Sequence, residues 1–296
     1  MARRKERLTL IHNEKAGNAR HCREELVALL EGAGYAVTYL AYKRDDWQKA
    51  LHRPAELVVA AGGDGTVAKI AAQARPGGPP LAILPLGTAN NLAKALGFDR
   101  PFQEMVTDWS AQRTRPFHLI EATGPWGRSR LAEGIGFAAF EQAIEDLPET
   151  VETDAACRHM ADAMIRTPPE HLELRLEGET IEQGFALLEV STVPLIGPNL
   201  LLAGAADPTQ RKFAVVFVGE HPDERKALAR WIAAPPDGTP APVAIRSAER
   251  ATIRGRFRRV RLNGSVWEAE AAPEPDSVET IALRSEAEPI AFAASR

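Results

Sequence analysis

The sequence predicts an α/β protein: an N-terminal parallel-sheet domain of the nucleotide-binding type plus a C-terminal antiparallel β-sandwich domain. Three observations predict it. Through the first third, short β-like runs alternate with helical patterns, which implies a parallel sheet covered on both faces. Three loops rich in Gly, Asn and Thr each follow one of those strands and precede a helix. After about residue 112 the alternation stops, and short strands separated by turn signals dominate, as in a sandwich or barrel.

Residues 8–11 read as the first strand. Residues 20–31 read as a helix with Leu26, Leu29 and Leu30 on one face and Gly32 and Gly34 as its stop. A second strand is expected at 36–42 and a short helix at 45–51. Residues 56–61 form an unbroken apolar strand ending in glycines, 66–74 a helix, 81–86 a strand, and 89–96 a helix closed by Gly97. Beyond these, 115–122 and 128–132 read as a strand pair around a turn at Gly124-Pro125, and 137–147 and 155–166 as helices. Strands follow at 172–176, 185–193, 212–218, 243–245, 252–262 and 278–283, interrupted by a helix at 223–233. Residues 235–240 form a surface loop. The domains are expected at 1–114 and 115–296, with the last strand able to return to the first domain.

Composition narrows the function. Of 296 residues, 36 are Lys or Arg and 40 are Asp or Glu, a net charge of −4, which argues against a nucleic-acid partner. Apolar residues at 45 % and charged residues at 26 % fit a globular protein. Cys22 and Cys157 lie far apart, so a disulfide scaffold and a thiolate zinc site are not expected. The basic start lacks a long enough apolar stretch behind it for a signal peptide, and a cytoplasmic location is expected.

The chemistry sits in the three loops. The first is Asn13-Glu14-Lys15-Ala16-Gly17. The second is Gly62-Gly63-Asp64-Gly65-Thr66, continued by Val67 and Ala68. The third is Gly87-Thr88-Ala89-Asn90-Asn91. Small residues let backbone approach an anion, free N–H groups are expected to point at it, and each helix N-terminus adds a favourable dipole. A single loop of this kind is also what a plain turn and helix cap use. Three on one sheet edge point to a phosphate site. Asp64 would repel phosphate, so contact with a metal or orientation of the phosphate chain is expected of it. The loose dinucleotide fingerprint at Gly63-x-Gly65-x-x-Ala68 lacks its acidic ribose partner, since no Asp or Glu lies between Asp64 and Asp99. Walker A, HExxH and GxSxG motifs are absent from the chain.

Gly62-Gly-Asp-Gly-Thr66, followed by the run from Pro85 to Gly97, resembles the catalytic domain of the diacylglycerol kinase family, which includes sphingosine kinases and bacterial lipid kinases. Asn13-x-x-Ala16-Gly17 is similar to that family's opening motif, with Glu14 in place of proline. The resemblance implies ATP, Mg²⁺ and phosphoryl transfer to a lipid hydroxyl, with the acceptor held by the β-rich domain. It places Asn13, Glu14, Lys15, Ala16, Gly17, Gly62, Gly63, Asp64, Gly65, Thr66, Val67, Ala68, Gly87, Thr88 and Asn91 along the ATP site, and Asp64 at the metal. An NAD-kinase reading shares the Gly-Gly-Asp-Gly motif but lacks the downstream segments of that family.

The sequence also departs from the family. Ala68 and Lys69 stand where Asn and Glu are usual, and Asn91 stands where Asp is common. Gln210-Arg211 align with an Asp-Gly pair near a metal, with Asp207 a nearby substitute. Ser265 occupies the place of a late Glu whose carboxylate takes the hydroxyl proton. Glu268, three residues on, is the candidate replacement base. Strand alternation puts it on the opposite face unless the Asn263-Gly264 turn re-aims it. These departures motivate an alternative: a degenerate member that binds nucleotide or lipid without turnover. Seven arginines between 246 and 261 offer either contact with an anionic membrane surface or a solvated face balanced by acids; Arg254, Arg256 and Arg258 are expected on one strand face. The apolar run 190–206 either lines a lipid pocket or forms core strands around a proline turn.

Overall fold

Leu57–Gly62 is buried along its whole length, so this segment needs cover on both faces. The computed structural model describes residues 5–52, 57–147, 151–235, 238–272, 274 and 277–294. The expected strand start at Glu56 and the middle of the expected loop at 235–240 lie outside them. The chain divides into two units, one running to Phe117 and resuming at Glu288, the other spanning His118–Ala287.

The first unit contains β1 (Glu6–His12), α1 (Arg23–Gly32), β2 (Tyr35–Ala41), β3 (Leu57–Gly62), α2 (Asp64–Gln73), β4 (Leu81–Pro85), α3 (Asn91–Ala95), α4 (Phe102–Asp108) and β5 (Thr114–Phe117). The second holds β6 (Ile120–Gly124), β7 (Gly127–Leu131), β8 (Gly134–Ala138), α5 (Ala139–Glu145), α6 (Thr153–Arg166), β9 (Glu170–Leu176), β10 (Glu179–Ser191), β11 (Leu195–Ile196), β12 (Leu200–Leu201) and β13 (Phe213–Gly219). It continues through α7 (Pro222–Ala233), β14 (Ala244–Ala248), β15 (Arg250–Gly255), β16 (Arg259–Leu262), β17 (Ser265–Glu268) and β18 (Glu279–Ser285). Finally β19 (Ile290–Ala293) joins the first sheet, whose order is β2-β1-β3-β4-β19-β5. β1, β2, β3, β4 and β19 run parallel, and β5 closes the edge antiparallel to β19.

The predicted fold class is borne out: a parallel-dominated α/β sheet, then a large antiparallel sheet ordered β17-β16-β8-β10-β9-β15-β18-β6-β7, with β13 and β14 branching from β10. β13 shows why the second half reads as long apolar runs. Phe213, Val215 and Phe217 face a core shared with β8, β10, β15 and β18, while Ala214, Val216 and Val218 face a second core under α5, α6 and α7.

Several expected elements are corrected. Residues 115–122 are two strands rather than one, because β5 carries Pro116 at a sheet edge and β6 pairs with β18 and β7 in the other unit. Residues 137–138 end β8, and the helix starts only after Ala138, whose φ is +60°. Residues 252–262 break between β15 and β16, where Phe257 turns into the core. Arg254, Arg256 and Arg258 therefore do not share one strand.

Candidate active site

β1, β3 and β4 are neighbours whose ends are level: His12 lies opposite Ala61, and Ala61 opposite Leu84. The three loops that follow them leave the sheet side by side. The ladder extends into the loops, with Asn13 N–H donating to the Ala61 carbonyl at 2.9 Å and Leu86 N–H to the Gly62 carbonyl at 3.0 Å.

Each pair of loops is tied together. Asn13 Nδ2 donates to Thr66 Oγ1 at 2.8 Å, joining the first loop to the second. Gly17, at φ +61°, lies against the third loop, and a Cβ on it would sit 2.5 Å from the Leu86 carbonyl oxygen. Gly63 and Gly87 meet backbone to backbone, so that a Cβ on Gly87 would fall 2.5 Å from Gly63 Cα. The Asp64 carboxylate accepts N–H bonds from Leu92 (3.0 Å), Asn91 and Asn90 at the start of α3. Its pKa is raised: burial pushes it up, and those three N–H groups and Lys94 only partly offset the push.

This geometry revises the expected use of the loops. The glycines at 17, 63 and 87 are required first by loop-on-loop contact. Some of the N–H groups of the first and third loops are taken up within the loops themselves. Lys15 N–H goes to Asn13 Oδ1 (3.3 Å) and Ala16 N–H to the Asn13 carbonyl (2.9 Å). Gly87 N–H goes to Asn90 Oδ1 (2.9 Å), and Asn90 Nδ2 returns a bond to the Gly87 carbonyl (2.7 Å). Asn90, at φ +54°, thus closes the third loop, a role that no local sequence pattern marks. The donors that open a helix belong to the second loop. Thr66 and Val67 N–H bond the Gly63 carbonyl, whereas the N–H groups of Asp64 and Gly65 open α2 without an intrahelical acceptor and without a side-chain cap. A Cβ on Gly65 meets nothing within 4 Å, so the first turn of α2 is open at that position.

The remaining expected residues fall as follows. Thr88 is exposed on the third loop, and Asn91 is buried at the start of α3. Val67 and Ala68 turn their side chains into the core, which leaves only backbone for a ligand. Glu14 is engaged by Arg44 Nη2 at 2.6 and 2.8 Å and by the Tyr39 hydroxyl at 3.2 Å. Tyr39 also meets His12 Nδ1 at 3.2 Å, and none of His12, Tyr39 and Arg44 was singled out from sequence. Among the described residues no group of three or more His, Cys, Asp or Glu is placed to hold a metal ion. A Mg²⁺ carried by phosphate needs only one or two carboxylates and water, and Asp64 is the carboxylate at this cradle.

Glu268 belongs to the second unit, exposed on β17 with Arg259 as its cross-strand partner. Ser265, also exposed, opens β17 beyond the Asn263-Gly264 turn. Asn263, at φ +53°, fixes that turn: its Oδ1 accepts from Ala132 and Glu133 N–H at 3.0 and 2.9 Å, and its N–H donates to the Gly134 carbonyl at 2.8 Å. The Asp207 carboxylate accepts from Thr209 and Gln210 within its own turn. Among these arginines, Arg246 pairs with Glu179, Arg254 with Glu173, Arg259 with Glu141, and Arg261 with the buried Glu189. In the run 190–206, Ile196, Leu200, Leu202 and Ala203 are core, packed with α6. No helix of the described residues is long and apolar enough to cross a membrane.

Residues 7–122 match the diacylglycerol kinase catalytic domain. The chain is 32 % identical over 171 residues to a diacylglycerol kinase of Staphylococcus haemolyticus, covering 49 % of this chain and 52 % of that protein. It is 32 % identical over 101 residues to a diacylglycerol kinase of Staphylococcus aureus MRSA252, covering 31 % and 32 %. It is 32 % identical over 151 residues to a Pseudomonas aeruginosa protein provisionally named a YegS-like lipid kinase, covering 49 % of each. The chain thus spans about half or less of the length of the curated relatives it matches. A crystal structure from Bacillus anthracis str. Sterne, provisionally named a diacylglycerol kinase, superposes with a TM-score of 0.73 at 15 % identity, covering 99 % of this chain and 97 % of that one. Another from the same source gives 0.66 at 14 % identity, covering 98 % and 97 %. At those identities the likeness speaks for the fold.

Proposed function

We propose that this chain, a member of the diacylglycerol kinase catalytic-domain family through residues 7–122, transfers the γ-phosphoryl group of ATP to a hydroxyl of a diacylglycerol- or sphingoid-like lipid. The observation that supports it most is the convergence of three loops on the open start of α2. Phosphoryl transfer asks a protein chiefly for positioning and electrostatic stabilisation. The Asp64 and Gly65 N–H groups and the dipole of α2 suit a phosphate chain. The Asp64 carboxylate, held against the start of α3, is drawn away from that path and partly compensated by the α3 dipole. The Thr88 hydroxyl lies exposed on the third loop, where it would donate to a phosphate oxygen. Asp64 is the carboxylate that would help hold a Mg²⁺ carried by the nucleotide, which would supply charge neutralisation there. Glu268 would take the hydroxyl proton. Arg250 and Arg258, both exposed, would favour peripheral contact with an anionic membrane from the cytoplasmic side.

The test is incubation of the purified chain with labelled ATP, Mg²⁺ and a mixed lipid extract. A labelled lipid is expected. Ser265 favours a second reading, in which the chain binds nucleotide without turnover, since a serine cannot serve as a carboxylate base and general-base help is typically about 10²–10⁴ in rate. Calorimetric ATP binding with no labelled product, even at long times, would decide for that reading.

A further inference from the structure

Glu14 places a negative charge in the first loop, one residue on from Asn13, whose Nδ2 donates to Thr66 of the cradle assigned above to a polyanion. The structure shows how the chain carries it. Arg44, just past β2, reaches across with Nη2 at 2.6 and 2.8 Å from the two carboxylate oxygens. The Tyr39 hydroxyl donates to the same carboxylate, and the Arg23 guanidinium lies 4.6 Å from the centroid of the Tyr39 ring. Behind them His12 is buried against Tyr39, its pKa lowered by burial despite the pull of Glu14, so the neutral ring adds no compensating charge. Both partners of the ion pair are exposed, at 67 % for Arg44 and 43 % for Glu14. A pair so exposed contributes little to stability. Its consequence is the charge it presents to a phosphate tail. Like charges repel even in water, and a triphosphate brings several.

We propose that Arg44 raises the affinity of the cradle for polyphosphate by neutralising Glu14, without contacting the phosphates itself. Arg44 is thus a positioning residue that acts through Glu14, and the pair lets a loop that lacks the family's proline keep an acid at its second position. The inference rests on the nucleotide reading given above.

The test is a double-mutant cycle on the full chain, read by calorimetry with ATP and with adenosine. Glu14→Ala, which leaves Arg44 unpaired, is expected to tighten ATP binding about threefold. Arg44→Ala, which leaves Glu14 bare, is expected to weaken it about five- to tenfold, a loss that shrinks as salt rises from about 50 to 500 mM. The double variant should return to within about twofold of the unmodified chain, and Arg44→Lys, which keeps the charge, should stay close to it. Adenosine affinity should not move in any variant. A double variant as weak as Arg44→Ala would overturn the inference, because Arg44 would then touch the phosphates. Equal losses for ATP and adenosine would also overturn it, reducing the pair to a loop brace. Failure of the unmodified chain to bind ATP would remove the nucleotide reading and this inference together, a result distinct from both.

Discussion

The Asp64 carboxylate accepts the Leu92 N–H at 3.0 Å, which ties the second loop to the helix that follows the third. This bond makes Asp64 a helix cap as well as a member of the cradle. Replacing a capping carboxylate by Ala costs about 0.5–2 kcal/mol. Asp64→Ala is therefore expected to lower unfolding stability by about that amount and to abolish ATP binding as the loops part. Asp64→Asn keeps one acceptor and should lose less stability. Denaturant unfolding and calorimetry on the two variants check this, and unchanged ATP binding by both would refute the role of the tie.

Two glycines should separate loop packing from ligand space. Gly87→Ala drives a methyl into Gly63, so stability and ATP binding are expected to fall together. Gly65→Ala meets no protein atom and sits in the first turn of α2, where Ala for Gly stabilises by roughly 0.4–1 kcal/mol. It should melt at or above the temperature of the unmodified chain yet bind ATP at least tenfold more weakly, because its methyl occupies the open space at the first turn of α2. Undiminished ATP binding by Gly65→Ala would move the phosphates elsewhere.

A pH dependence follows from Glu170. Burial pushes its pKa up to about 7, only partly opposed by the Ala138 N–H that donates to Oε1 at 3.1 Å, and Glu141 pushes the same way. The folded state therefore holds a proton that the unfolded chain releases near 4.5. The resulting stability is fully present below about 4.5 and is lost as pH rises through about 7. Glu170→Gln removes this slope. Relative to the variant, the unmodified chain should lose on the order of 2 kcal/mol between those limits, measured as urea midpoints at pH 5 and 8. Parallel pH profiles for the two proteins would count against a protonated Glu170.

The β16–β17 hairpin offers a test of the proposed proton acceptor. If Glu268 is the base, Glu268→Gln should reduce lipid phosphorylation by about 10²–10⁴ while ATP binding is retained. Ser265 is exposed at the start of β17, so Ser265→Glu should fold normally and, placed in the Glu268→Gln background, restore part of the lost rate. A Glu268→Gln enzyme as fast as the unmodified one would exclude that carboxylate.

Much of the first unit was legible because its signals are local. Apolar runs at β3 and β4, and Gly, Asn and Thr at the loops after them, specify strands, turns and helix starts within a few residues. The second unit was less legible where a strand changes sheet or sides. Nothing near Phe117 marks that the chain leaves one sheet for another, and residues 137–138 carry no local mark that they finish a strand before α5 begins.

The sequence by itself determined the alternation of elements, the three loops and the order of the two folds, since periodicity and turn chemistry are written in neighbouring residues. Tertiary structure alone decided how the loops meet. Asp64 finds Leu92, Gly63 meets Gly87 and Glu14 meets Arg44 across gaps of roughly 24 to 30 positions, and hydrogen bonds and charge pairs over such spans depend on strand register, which no local pattern encodes.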